Sequence, residues 1–314
     1  MKAPNRTEAV ILASLAALLA APLFLPQWAT FLLTVALAKG LVVLGLLLLM
    51  RTGLVSFGQG LYYCVGAYAA GILSQLFHLR DAAAMLLAAL LVSVAVALLT
   101  GLLLASYRGI FFSMLSLAFS MILYGLLVKS ATLGSTDGFN ISFGTFLGAR
   151  LSSGSSRYAL FAGAATTAAL SAFALHRFLG SHLGRLAPAI RDNELRVEYL
   201  GASVRNTVLL NTVIAAGLTG MGGALTAMAV GHIDPEMAYW TTSGEFMFVA
   251  ILSGTVSVLA PFLASLLFEL LRSFAYQYSP NTWQMVVGAA MLVVILFLPT
   301  GVWAIFARRR RRAA

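Results

Sequence analysis

The chain has 314 residues, 61% of them hydrophobic and 10% charged, with a formal net charge of +10. A mean hydropathy of +0.94 excludes a soluble globular domain, whose surface needs more charge. The apolar runs do not alternate as barrel strands do, and the basic residues sit between those runs instead of along one groove. An all-α polytopic membrane protein is therefore expected, with no nucleic-acid partner.

Stretches long enough to cross a hydrocarbon core of ~30 Å lie at about 9–25, 29–49, 54–75, 82–105, 109–128, 158–175, 207–230, 244–259, 261–278 and 283–303, which predicts about ten transmembrane helices. The first follows Lys2 and Arg6, carries Pro22, and reads as an uncleaved anchor in preference to a signal peptide. The second holds Lys39 near its middle, too deep to snorkel easily. A charge at a helix centre costs about 2.5–3.5 kcal/mol on insertion scales, so Lys39 is expected to face protein or water. Glu269, at similar depth in the ninth stretch, is its expected partner, with Arg272 competing for the same carboxylate. A structural pair is favoured over contact with a substrate carboxylate.

The third stretch opens on Gly53-Leu54-Val55-Ser56-Phe57-Gly58-Gln59-Gly60. Gly58 and Gly60 weaken a helix there, and Ser56 and Gln59 place hydrogen-bonding groups at membrane depth. Two readings stay open for Ser56 and Gln59: tight packing, or lining of a path. The single cysteine, Cys64, lies in the same stretch and permits no internal disulfide. Between the fifth and sixth stretches, Gly134-Ser135-Thr136-Asp137-Gly138 gives a turn signal, and contact with an external protein at Thr136 and Asp137 is its sharper reading. The loop at 231–243, with His232, Asp234, Pro235 and Glu236, is similar.

The one long charged island runs from Arg185 to Arg205. Pro188 suits the first turn of a helix and Gly201 its C-terminal cap, which predicts about three helical turns. Ile190, Val197 and Leu200 then fall on one side, and Arg191, Glu194 and Glu198 on another. Glu194 and Glu198 repel at a spacing of four, and a basic partner would relieve that repulsion. The length and two-sidedness favour a docking helix over a merely solvated connection. Further on, Ser253, Gly254, Ser257 and Pro261 divide 244–278 into two spans. A Gly- and Ser-interrupted segment thus stands in each half, at 53–66 and 251–261, a pointer to a transport path.

With ten spans and the N-terminus inside, the inner ends gather Lys2, Arg6, Arg51, Arg108, Arg177, Arg185, Arg191, Arg196, Arg205 and the tail Arg308 to Arg312. The outer ends hold Arg80, Lys129, Arg150, Arg157 and Arg272. This asymmetry predicts cytoplasmic termini, a cytoplasmic island at about 176–206 and a basic cytoplasmic tail at 304–314. No Gly-x-x-x-x-Gly-Lys-Ser/Thr loop, His-Glu-x-x-His or Cys-x-x-Cys occurs. The histidines at 78, 176, 182 and 232 lack metal-ligand spacing. Neither a cofactor nor catalytic residues are expected.

Four stretches together resemble a known family. They are Val55-Ser56-Phe57-Gly58-Gln59 with Gly66-Ala67-Tyr68; Gly109 through Phe119; Gly134 to Gly138; and Ala189-Ile190-Arg191-Asp192-Asn193-Glu194 through Gly201. Their order and spacing are similar to the membrane permease of branched-chain amino-acid ABC importers, of the LivM type. The resemblance implies one permease domain over 1–314, a second permease subunit of the LivH type, two cytoplasmic ATPases and a periplasmic solute-binding protein, all at the bacterial inner membrane. It makes the island the ATPase-coupling loop, carried by Arg191, Asp192, Glu194, Glu198 and Gly201. Ser56, Gly58, Gln59, Lys39 and Glu269 become pathway candidates, and Thr136 and Asp137 candidates for binding-protein contact. Relatives of the family carry urea or short amides, so the solute stays open between these and branched-chain or related amino acids. A self-sufficient secondary transporter is the rival reading. It calls for ionisable residues within the spans, of which Lys39 and Glu269 stand out.

Overall fold

The structure, a computed structural model, describes residues 6–23, 25–142, 145–146, 149–150, 153–278 and 280–297. The basic tail at 304–314 lies outside the described residues. Twelve α-helices are described: α1 (Arg6–Ala20), α2 (Gln27–Arg51), α3 (Gln59–Leu76), α4 (Ala82–Leu104), α5 (Gly109–Lys129), α6 (Ser153–Gly180), α7 (His182–Asp192), α8 (Glu194–Tyr199), α9 (Val204–Val230), α10 (Trp240–Ser253), α11 (Ala260–Tyr278) and α12 (Trp283–Phe297). Four two-residue strands make two small antiparallel pairs. Strand β1 (Phe139–Asn140) pairs with β4 (His232–Ile233), and β2 (Thr145–Phe146) with β3 (Ala149–Arg150).

The chain is an all-α polytopic membrane protein. In lipid, backbone groups find no water, so a helix that bonds its own N–H and C=O groups is the available spanning form. A helix stands at each of the ten expected stretches. Among the described residues five are long and apolar enough to cross a membrane by themselves, namely α2, α4, α5, α9 and residues Arg157–Gly180 of α6.

Helix α9 is the axis. It is buried along most of its length, against α2, α3 and α4. Small residues set the spacing. A Cβ on Gly45 would come within 2.7 Å of the Ala215 carbonyl oxygen, and one on Gly222 within 2.5 Å of that of Ala38. Gly66 lies against the Gly220 backbone, and Gly223 against the Tyr63 carbonyl. Helices in lipid associate through such close backbone contact, since burying apolar surface there gains little.

Two interruptions flank this axis. Between α2 and α3 the chain leaves the helix at Thr52 and re-enters at Gln59, turning through Gly53 at φ 81°. Between α10 and α11 it is non-helical from Gly254, at φ 70°, to Leu259. Arg51 ties the two together. Its Nε donates to the Thr255 carbonyl at 2.8 Å and its Nη2 to the Val256 carbonyl at 3.0 Å, satisfying backbone that the broken helix leaves open.

The island differs from the single helix that its proline suggests. Helix α7 starts earlier, capped by the Ser181 hydroxyl, which accepts from the Gly184 N–H at 3.2 Å, so Pro188 falls inside the helix. Asn193 then takes an extended conformation (φ −164°, ψ 105°), and its Oδ1 accepts from the Arg196 N–H at 3.0 Å, capping a second helix, α8. A local side-chain cap at Asn193 outcompetes continuation of the helix. Gly201, at φ 85°, follows the end of α8 as expected. Ile190 and Val197 are buried, but Leu200 is 81% exposed, and the break removes the common face expected for Arg191, Glu194 and Glu198.

Because Gly66 has no room for a side chain, Gly66→Val forces α3 away from α9. Overpacking of this kind costs about 1–3 kcal/mol or more. The purified variant is expected to show a lower thermal midpoint and lower yield, whereas Gly125→Ala, at a site with no atom near its missing Cβ, leaves both unchanged.

Candidate functional site

Lys39 emerges from α2 one residue after the Ala38–Gly222 contact, into a cavity of about 330 Å³. Its ammonium bridges two carboxylates, Glu269 of α11 at 2.6 Å and Glu245 of α10 at 2.8 Å. Arg272, one turn beyond Glu269, reaches Glu245 at 3.2 Å instead of competing for Glu269, and stacks over the Trp283 ring of α12 at 5.1 Å. The expected Lys39–Glu269 pair is therefore present, inside a group of two cations and two carboxylates drawn from three helices. Glu245 was not singled out by sequence reasoning. It sits at the head of a stretch read as beginning at 244, where a charge attracts no notice, whereas the helix starts at Trp240 and carries Glu245 inward.

The remaining wall of this cavity is of two kinds. Phe31, Val35, Val230 and Phe246 give it apolar surface, and Tyr63, Thr226 and Thr242 hydroxyl groups. Asp234 and Glu236 bring two further carboxylates from the connection between α9 and α10. That connection is a 3-10 turn, Pro235–Ala238, capped by Asp234, whose Oδ1 accepts from the Met237 N–H at 3.2 Å. A cavity with both signs of charge and an apolar wall suits a small zwitterion with an apolar side chain.

The Ser56–Gln59 interruption adjoins this cavity through Met237 and Tyr63. The Gly60 N–H donates to the Ser243 hydroxyl at 2.9 Å, which ties the start of α3 to α10, and the Ser120 hydroxyl donates to the Ala238 carbonyl at 2.7 Å, which ties α5 to the 3-10 turn. Ser56 is buried, its hydroxyl accepting from the Gly58 N–H at 3.3 Å. Gly58 fits closely against the Ser116 carbonyl, where a Cβ would come within 2.9 Å. Gln59 is fully buried. Its Oε1 accepts from the Thr219 hydroxyl at 2.6 Å, while its Nε2 has no partner among the described residues. Ser56 and Gly58 are thus closely packed. The open donor on Gln59 is the one group here left for a polar visitor, since buried amide donors are nearly always paired.

Thr136 and Asp137 come together as well. Gly134, at φ 86°, and Gly138, at φ 64°, close a turn in which the Thr136 hydroxyl donates to Asp137 Oδ1 at 3.3 Å, with Asp137 exposed. The strand that follows, β1, pairs with β4, so the 134–138 turn lies next to the segment that supplies Asp234 and Glu236. On the island, Glu194 is held by Arg108 of the α4–α5 connection through Nε, at 2.9 and 3.0 Å to its two oxygens. The basic partner that relieves Glu194 is thus within the chain. Asp192 and Glu198 are exposed, and Arg191 lies against Gly53, whose Cβ would meet its side chain at 3.1 Å. Leu195 and Tyr199 of α8 and Leu200, which caps it, are exposed at 65%, 89% and 81%, an apolar patch that the expected grouping of Leu200 with Ile190 and Val197 on one side did not reveal. Among the described residues no group of His, Cys, Asp and Glu is placed to hold a metal ion.

Comparison with known proteins gives two kinds of match. The family model described as branched-chain amino acid transport system / permease component matches residues 28–296. The high-affinity branched-chain amino acid transport system permease protein LivM of Salmonella typhimurium (strain LT2) is 27% identical over 276 residues, 80% of this chain and 64% of that protein. The protein of the same name from Escherichia coli (strain K12) is 26% identical over the same shares. The matched region thus spans less than two thirds of either relative. No solved structure matches significantly.

The charge cluster yields a stability prediction. Lys39→Met leaves two adjacent carboxylates with Arg272 alone, and breaking a buried pair from one side costs about 3–5 kcal/mol. Its thermal midpoint in detergent is expected to fall. Adding Glu269→Gln removes the orphaned charge, and the double variant is expected to recover most of the loss. A double variant no more stable than Lys39→Met would show that the pair does not hold the helices together.

Proposed function

The chain belongs to the family of branched-chain amino acid transport system permease components, and from that premise we propose that it is the membrane permease subunit of an ABC importer. It is a single permease domain over 1–314 that performs no catalysis. A periplasmic binding protein delivers a branched-chain or related amino acid to its outer face, and two ATPase subunits dock on the other. A second permease subunit, of the LivH type, completes the path across the bacterial inner membrane, with both termini cytoplasmic.

The observation that carries this reading is the way the island is seated. Ile190 and Val197 anchor α7 and α8 in one apolar cluster with Leu49, Leu54, Phe112 and Val208, at the ends of α2, α5 and α9. Meanwhile α8 and its cap turn Leu195, Tyr199 and Leu200 outward. A short helix pair rigidly joined to three spanning helices, with an apolar patch facing away from them, is a handle for a soluble motor. Arg191 connects that handle to Gly53, the first turn of the interruption before Gln59. Movement of the handle is conveyed by this contact to the Gln59–Thr219 pair and on to the cavity. In the cavity Asp234 and Glu236 suit the solute ammonium, and Phe31, Val35, Val230 and Phe246 its side chain, while Lys39 and Arg272 stay paired with Glu245 and Glu269. Asp137, in the turn beside β4, marks the face offered to the binding protein.

One observation favours a second reading, a secondary transporter driven by an ion gradient: four ionisable groups meet inside the spans. Their charges balance one another, however, which suits a structural cluster better than a proton or ion carrier. Reconstitution of the chain with its partner permease, ATPases and binding protein in liposomes separates the readings. Leucine uptake that requires ATP supports the importer. Uptake by this chain alone on a proton or sodium gradient overturns it, and ATP-dependent uptake of urea or acetamide without leucine would reassign the solute.

Two variants test the parts. Leu195→Asp with Tyr199→Asp is expected to reduce copurified ATPase about tenfold or more while the yield and thermal midpoint of the permease stay unchanged. Unchanged ATPase capture would remove α8 from the docking surface. Gln59→Leu is expected to lower uptake at least several-fold at normal protein level. Uptake that falls only in step with protein level would make Gln59 a packing residue.

A further inference from the structure

Helix α1 is held mainly by α6, and on its other side it stands off from α11 across a cleft. The cleft has a volume of about 460 Å³ and is apolar almost throughout. Alanines of α6, Ala165, Ala168, Ala169 and Ala172, form its floor, because their short side chains leave space that a leucine would fill. Val10 of α1 and Leu263 of α11 stand exposed at its edges, so it opens sideways towards the surrounding lipid. Along α1 it runs from Val10 to Leu18, about 12 Å at 1.5 Å per residue.

At one end the character changes within a single turn of each bordering helix. A second cavity, of about 590 Å³, is lined by Arg51, His176, Arg177, Ser181, Ser257 and Glu8. It follows directly on the first: Glu8 precedes Val10 on α1, His176 follows Ala172 on α6, and Val258 precedes Leu259 on the way into α11. Arg177 is 65% exposed at its side chain, lies over the Phe173 ring at 5.3 Å, and pairs with the buried Glu8 at 2.8 Å. Arg51 faces the same space from the end of α2, oriented by its bonds to the 255 and 256 carbonyls. Two guanidiniums and an imidazole thus confront one carboxylate. The balance favours an anion, and guanidiniums match phosphate geometry.

An apolar slot open to the bilayer, continuous with a basic polar cradle at its end, has the two-part chemistry of one molecule type. We propose that this is a binding site for one anionic glycerophospholipid, with an acyl chain in the cleft between α1 and α11 and its phosphate at Arg51, His176 and Arg177. The lipid fills the gap that α1 leaves and fastens it, through Arg51, to the interruption at 254–259. The phospholipid acts as a structural ligand and is not cargo, so the site stands independently of the transport reading.

The test uses the purified full-length chain in a mild detergent, its thermal midpoint read after adding phosphatidylglycerol, phosphatidylcholine or inorganic phosphate, with native mass spectrometry for retained lipid. For the wild type, one retained phospholipid is expected, together with a midpoint rise of several degrees with phosphatidylglycerol, a smaller rise with phosphatidylcholine, and none with inorganic phosphate. Arg177→Gln removes one of the two guanidiniums and is expected to abolish the preference for phosphatidylglycerol. Ala169→Phe fills the cleft and is expected to remove retained lipid and the response to both phospholipids. Each variant is compared with itself without lipid, so any baseline loss of stability cancels. An equal response to both phospholipids in the wild type, protection by phosphate alone, or full lipid retention in Ala169→Phe would overturn the proposal.

Discussion

The contact on which the rest of this structure depends is the near touching of backbones between α9 and its neighbours α2 and α3. Gly222 against Ala38, Gly45 against Ala215, and Gly66 against Gly220 leave no room for side chains between these helices. In lipid this is how helices hold together, because separating them exposes little that the lipid would not accept. The consequence is a fixed register. Lys39 follows Ala38, so the place where its ammonium enters the cavity is set by the Gly222 contact. Thr219, one residue before Gly220, is likewise held at the height of Gln59. The polar groups at membrane depth are positioned by the tightest packing in the protein.

Charge balance is the second constraint, and it follows from the first. A lysine forced to a central position must be neutralised there, and two acidic residues from α10 and α11 supply more than enough, which Arg272 then corrects. The group closes with two charges of each sign. Its net cost or gain against an apolar alternative is small by the usual account of buried ion pairs. Its effect is specificity: α2, α10 and α11 have one arrangement in which no charge is stranded. Such a group also resists rearrangement, so parts of the chain that move are to be sought at the interruptions and the 134–138 turn.

Much of this was legible in the sequence, and the exceptions are instructive. Composition and run length gave an all-α polytopic chain because the bilayer imposes a length and an exclusion of charge on every span. The partner of Lys39 was found by matching depth alone. Glu245 escaped because depth was counted from a helix start placed four residues too late. The island is divided by Asn193, whose side chain caps α8, a local bond that the single helix expected from Pro188 and Gly201 took no account of. The basic partner expected for Glu194 was not identified as Arg108 because the two are distant in sequence, and no periodicity announces a contact across that separation. The pairing of β1 with β4 is hidden for the same reason: two-residue strands carry no pattern of their own.

Both interrupted segments meet at one side chain, and this explains how a chain built for rigidity can also respond. Arg51 ends α2 and holds the carbonyls of Thr255 and Val256, so the second interruption is closed by the residue that precedes the first. Two residues later Gly53 lies against Arg191 of α7. Backbone freed from a helix at membrane depth is stable only where protein satisfies it, and here one guanidinium does so for the distant segment while the turn after it receives the island. A displacement of α7 therefore acts first on the few residues between Arg51 and Gln59, where no helix resists it. The α2–α9 contact, a short way up the same helix, holds the remainder still. In the importer reading, these short non-helical connections are the compliant elements, and the glycine-packed axis is the frame against which they work.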